Sequence, residues 1–166
     1  MGETARSLPT PSVPSTPTGL ATPMSAAPEN LERPVVLRVP WSAAAVRSTR
    51  RLVVDDLESK GVPPELVSEA QIVVSELVAN ALRHARPLAD NTVRVQWKVK
   101  NGVIEVEVSD GGGMSTPRPA PHSVWASTGR GLRIVRSLAH EWGVTEERNG
   151  RTVWASLGGP SRRRTH

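Results

Sequence analysis

Glu76, Asn80 and His84 stand at successive i, i+4 positions within the apolar run Ser75-Glu76-Leu77-Val78-Ala79-Asn80-Ala81-Leu82-Arg83-His84-Ala85. On an α-helix this spacing stacks a carboxylate, a carboxamide and an imidazole on one face, as a polar strip beside the buried stripe. A carboxylate and a neutral oxygen donor one turn apart can hold a hard cation such as magnesium together. They can also divide the work, with Asn80 on the metal and Glu76 taking a proton from a nucleophile. Magnesium keeps several waters and is completed by substrate phosphates, so few protein ligands suffice. The competing reading is a solvated helix edge, where such pairs are common. For His84 it is a hydrogen-bonded residue at a helix end.

Three further stretches place polar groups at the ends of elements. Asp110 heads Asp110-Gly111-Gly112-Gly113, where its carboxylate can accept a hydrogen bond from a ligand amino group while the glycines admit a flat ring close to the backbone. An ordinary turn after a strand is the plainer use of the same residues. Gly129-Arg130-Gly131 precedes a helical pattern and can offer backbone N–H groups and a positive dipole end to phosphates, with Arg130 adding a charge-assisted bond. It can equally be a flexible helix entry. Thr152, in Asn149-Gly150-Arg151-Thr152, either presents its hydroxyl to a ligand or serves its strand as a β-branched residue.

The elements that must position these groups follow from periodicity. Val35 to Val39 is a β-rich run closed by Pro40. Ser42 offers a hydroxyl N-cap to a helix over Ala43 to Lys60, with Val46, Leu52, Val53 and Leu57 on the buried stripe and Gly61 at C′. A second helix starts at the Pro63-Pro64 pair, carries Glu65 in its first turn, and runs to about Ala85. Its apolar face holds Leu66, Ala70, Val73, Val74, Leu77, Ala81 and Leu82, with the polar strip along the margin. Thr92 to Val99 and Val103 to Ser109 alternate and flank Asn101-Gly102, a hairpin signal. Met114 to Thr128 is a Pro-containing loop of the length of a lid or binding segment. Leu132, Ile134, Val135 and Leu138 mark a third helix, and Trp142 to Glu147 with Arg151 to Leu157 form a last hairpin across Asn149-Gly150. The expected fold class is α+β, with helices packed on one face of a mixed, mostly antiparallel sheet.

Composition bounds the rest. The 166 residues suit one domain, expected over 34–158 between a Pro/Ser/Thr-rich disordered leader at 1–33 and a basic tail at 159–166. With no cysteine there is no disulfide framework, thiolate nucleophile or Cys-based zinc site. The longest apolar runs fall short of the roughly 20 residues of a membrane span, and no secretion signal is visible, so a cytoplasmic protein without membrane contact is expected. The net charge is +5, yet Pro34 to Gly158 carries 16 basic and 13 acidic residues, an excess of only +3. That spread charge, with five Trp and no Phe or Tyr, argues against direct nucleic-acid binding.

Taken together, the four stretches have the order of one known site. Glu76-x-x-x-Asn80 resembles the N box of the GHKL ATP-binding superfamily, Asp110-x-Gly112 its G1 box, Gly129-x-Gly131 its G2 box, and Gly150-x-Thr152 the threonine of its last box. Within that superfamily the chain is most similar to the small anti-sigma-factor serine kinases of actinobacteria, notably in Ser75-Glu76-Leu77 and Thr128 to Val135. The resemblance implies a Bergerat sandwich that binds ATP with Mg2+. It implies Asp110 on the adenine amino group, Asn80 on the metal, and Glu76 as general base toward a partner's serine. Gly112, Gly129, Arg130, Gly131, Leu132 and Thr152 would complete the nucleotide site, with Arg118 or Arg130 on the γ-phosphate. The implied partners are a sigma factor and a serine-phosphorylated antagonist of the anti-anti-sigma kind, and the implied assembly is a homodimer.

Overall fold

The computed structural model describes residues 32–113 and 130–159. The order is β1 (Val35–Pro40), α1 (Ala44–Ser59), α2 (Pro64–His84), β2 (Thr92–Lys100), β3 (Val103–Asp110), α3 (Arg130–Leu138), β4 (Glu141–Glu147) and β5 (Gly150–Gly158). The strands form one sheet in the order β1-β2-β3-β5-β4. The architecture is the expected α+β layer; where a mixed sheet was expected, each pairing of the described strands is antiparallel.

Alternation decides which face the helices cover. Val93, Val95, Trp97 and Val99 on β2, Ile104, Val106 and Val108 on β3, and Val153, Ala155 and Leu157 on β5 are all buried. They face α2, whose Val67, Ala70, Val73, Val74, Leu77, Val78 and Ala81 are buried in turn. Each such valine contributes about 1.5–3 kcal/mol relative to an exposed one. Trp97, 1% exposed, donates from Nε1 to Asp56 Oδ2 at 2.7 Å, and Lys60 Nζ donates to the same oxygen at 2.7 Å. The bond fastens β2 to α1. Trp97→Phe is therefore expected to lower stability by at least about 1.5–3 kcal/mol in urea unfolding, the worth of a hydrogen bond to a charged acceptor, with the volume lost from the core adding to it.

Two turns follow their residues closely. Asn101 and Gly102 both take positive φ, 51° and 75°, the type I′ geometry that lets Lys100 pair with Val103. Gly61, at φ 70°, closes α1 in a Schellman motif, with Val62 N–H on Leu57 O at 3.1 Å and Gly61 N–H on Glu58 O at 2.9 Å. The space around Gly61 is open, so Gly61→Ala is expected to cost only the conformational penalty, about 1–2 kcal/mol, readable as a lower urea midpoint at unchanged m-value.

Other expectations are corrected. Ser42 does not cap α1 with its hydroxyl: the N-cap is Ala43, no side chain makes the bond, and Ser42 contributes its carbonyl to Ala45 N–H at 3.0 Å. The buried stripe of α1 is Ala45, Thr49, Val53 and Leu57, a strict four-residue repeat, while Leu52 is 47% exposed. Contact with one neighbouring helix narrows the stripe that a free amphipathic pattern suggests. The last hairpin turns at Arg148-Asn149, and Gly150 already belongs to β5 opposite Glu147.

Candidate functional site

The strip on α2 lies where the helix meets α3. Asn80 is 6% exposed, the Glu76 side chain is 27% exposed, and His84 is exposed at the last turn. Glu76 Oε2 rests against the first turn of α3, only 2.5 Å from where a Cβ on Gly131 would stand. A carboxylate there favours the positive end of the helix, and the glycine is what admits it. Arg83 Nη2 approaches the same oxygen at 3.9 Å, with its Nε donating to Ala79 O at 3.1 Å. Glu76, Asn80, Arg83, His84, Arg130 and Gly131 line a common cleft of about 390 Å³ between the helices. The N–H groups of α3's first turn, which have no partner within the helix, belong to this region as well. Leu132 is 5% exposed and packs in the core, so only its backbone is available to a ligand. Gly129, together with Arg118, lies outside the described residues.

Asp110 ends β3 and is 1% exposed. Its Oδ1 accepts from Gly112 N–H at 2.8 Å and its Oδ2 from Arg151 Nη2 at 3.3 Å. Burial pushes its carboxyl above the usual range, Arg151 and the Gly112 N–H oppose the rise, and Glu146 adds to it. The glycine turn that follows is tied to the end of α2: Arg86 N–H donates to Gly112 O at 3.0 Å, Gly111 N–H donates to Arg86 O at 2.8 Å, and Ala85 bridges Gly113. This pairing brings the end of α2 and Asp110 into one neighbourhood.

The glycines around Asp110 have distinct reasons. At Gly111 a side chain would run into the Pro87 carbonyl, and at Gly150 a Cβ would stand 2.5 Å from Asp110 O. Both are filled by the protein's own backbone. Gly112 takes φ 88°, a backbone conformation that favours glycine, and among the described residues the nearest atom to a Cβ there is 4.0 Å away.

Asp110, Gly112 and Thr152 do not line the α2–α3 cleft. Thr152 also faces away from Asp110: its hydroxyl shares a hydrogen bond with Ser109 at 2.8 Å, on the other side of the sheet. The residue directly opposite Asp110 is Arg151, which the motif reading passed over. The signal for it was present, because Val153, Ala155 and Leu157 are the buried positions of β5 and extending their alternation one step back reaches Arg151.

Residues 39–157 match the histidine kinase-like ATPase domain family, and the chain belongs to that family. Its fold is similar to the crystal structure of the RsbU and RsbW domains of Rv1364c from Mycobacterium tuberculosis, with a TM-score of 0.59 and 19% sequence identity, covering 78% of this chain and 34% of that chain. The present chain thus spans about a third of that protein's length. Comparison with curated proteins returns no match.

Proposed function

We propose that the chain is an ATP- and Mg2+-dependent protein serine/threonine kinase that regulates transcription by partner switching, as an anti-sigma factor does. The observation that carries this reading is the meeting of Glu76, Asn80 and the first turn of α3 around one cleft. The donor set fits the cofactor: Asn80 supplies a neutral oxygen, and α3's first turn with Arg130 supplies N–H groups and positive charge for phosphates. Magnesium held through Asn80 would neutralise charge on the phosphates. Asp110, with lone pairs left beyond its two bonds, would accept from the amino group of adenine. Glu76, partly solvated, would accept the proton from a partner serine as the serine oxygen bonds the γ-phosphorus, while the bond to the β–γ bridging oxygen breaks and ADP leaves.

The partners under this proposal are a sigma factor and an antagonist phosphorylated on serine, with a homodimer acting in the cytoplasm and the kinase domain spanning 34–158. Among the described residues no helix is long and apolar enough to cross a membrane. A second reading draws on the same carboxylate: Glu76 already stabilises the start of α3, so it has a use without chemistry, and the chain would then bind ATP and sequester a partner without phosphorylating it. Incubation with labelled ATP, magnesium and candidate antagonist proteins separates the two. Labelling of a partner serine is expected; ATP binding with no transfer to any partner would sink the kinase reading and leave the binding module.

A further inference from the structure

We propose that Arg151 is the positioning residue of the nucleotide site, holding the Asp110 carboxylate aimed and ionised for the base, with Glu146 acting against it from the next strand. The proposal rests on the reading above that Asp110 meets the amino group of adenine. Asp110, Arg151 and Glu146 are direct cross-strand partners on β3, β5 and β4, so a guanidinium stands between two carboxylates in one row of the sheet. Arg151 Nη2 lies 3.3 Å from Asp110 Oδ2, with the side chains 12% and 1% exposed.

Packing does not ask for an arginine here. The following residues on the same face of β5 are apolar and buried, and Arg151 Nε is buried without an acceptor among the described residues. A buried donor left unpaired is costly, and an apolar side chain of similar size often replaces a buried ion pair without loss. What the arginine supplies is charge beside Asp110. Burial favours the neutral acid, which would turn one carboxyl oxygen into a donor facing the N–H of a base. Arg151 from β5 opposes that change and Glu146 from β4 promotes it. From the α2–β2 connection, Arg86 engages the neighbouring turn through backbone bonds.

The test follows binding of a fluorescent ATP analogue from about pH 5 to pH 8, together with the 13C carboxyl titration of Asp110 in the nucleotide-free protein. Arg151→Gln is expected to move the acid limb of binding to higher pH, lowering affinity near pH 6 roughly three- to tenfold. Arg151→Lys is expected to restore it. Glu146→Gln, at an exposed strand position, is expected to move the limb to lower pH. An acid limb shared by wild type and Arg151→Gln, or a shift of both Gln variants in the same direction, overturns the proposal. Should Arg151→Gln fail to fold, an unmoved limb in Glu146→Gln overturns it alone. If wild type binds no nucleotide, the functional reading itself fails, whereas normal binding with an Asp110 titration indifferent to Arg151 rejects only the positioning role.

Discussion

Asp110→Asn is expected to lower ATP affinity about 10- to 100-fold while leaving the chain folded. Two donors converge on this side chain, Gly112 N–H and Arg151 Nη2, and under the proposed function the amino group of the base would be a third. A carboxylate can accept all three, because both oxygens carry free lone pairs. An asparagine has one oxygen, so its own NH2 must face one of the donors. The loss of a hydrogen bond to a charged acceptor is worth about 1.5–3 kcal/mol, and each 1.4 kcal/mol is about tenfold in affinity. Asparagine is the informative replacement. Both replacements remove the charge opposite Arg151, but asparagine keeps an oxygen that can accept from it, whereas alanine leaves the buried guanidinium without that acceptor as well, at about 3–5 kcal/mol of stability.

The same variant carries a pH signature. Burial holds the folded-state pKa of Asp110 above its unfolded value, so the folded chain binds more protons than the unfolded chain across that interval. Stability of the wild type therefore falls as pH rises from the ordinary carboxylate range through the raised pKa. Asparagine does not titrate and escapes that fall. Urea unfolding of both proteins across the acid range should show wild type losing ground relative to the variant as pH increases, then a constant difference. Isothermal titration with ATP provides the affinity, and binding within threefold of wild type would remove Asp110 from the base site.

Glu76→Gln is expected to slow phosphotransfer to a partner serine by about 10²- to 10⁴-fold, the usual worth of a positioned general base, with ATP affinity changed by no more than a few-fold. The glutamine keeps the shape of the side chain against Gly131 and loses the proton acceptor. The lost interaction with α3's positive end is worth only about 0.3–1 kcal/mol, so a small change in stability accompanies a large change in rate. Single-turnover transfer from pre-bound ATP measures the chemical step directly. A rate within threefold of wild type would leave Glu76 with a structural role alone and favour the sequestering module.

How much of this was legible in advance differs from residue to residue. The pairing of Glu76 with Asn80 on one helix face needed only the 3.6-residue turn, and the Asn101-Gly102 hairpin needed only two residues that accept positive φ. The core strands were readable for the same reason, since alternation is a property of each strand alone. Leu52 was misassigned because its exposure depends on where α2 lies across α1. The reason for Gly150 was also hidden, because it is the approach of Asp110's carbonyl from another strand.

The sequence by itself determined the order of the elements, the Asn101-Gly102 turn and the face on which the α2 strip stands, since these depend on residues a few positions apart in the chain. Tertiary structure alone decided that Glu76 meets the start of α3, that Thr152 pairs with Ser109 on the far face, and that Arg151 stands beside Asp110. Those contacts join residues about 40–55 positions apart, through strand register and helix docking that no local spacing encodes.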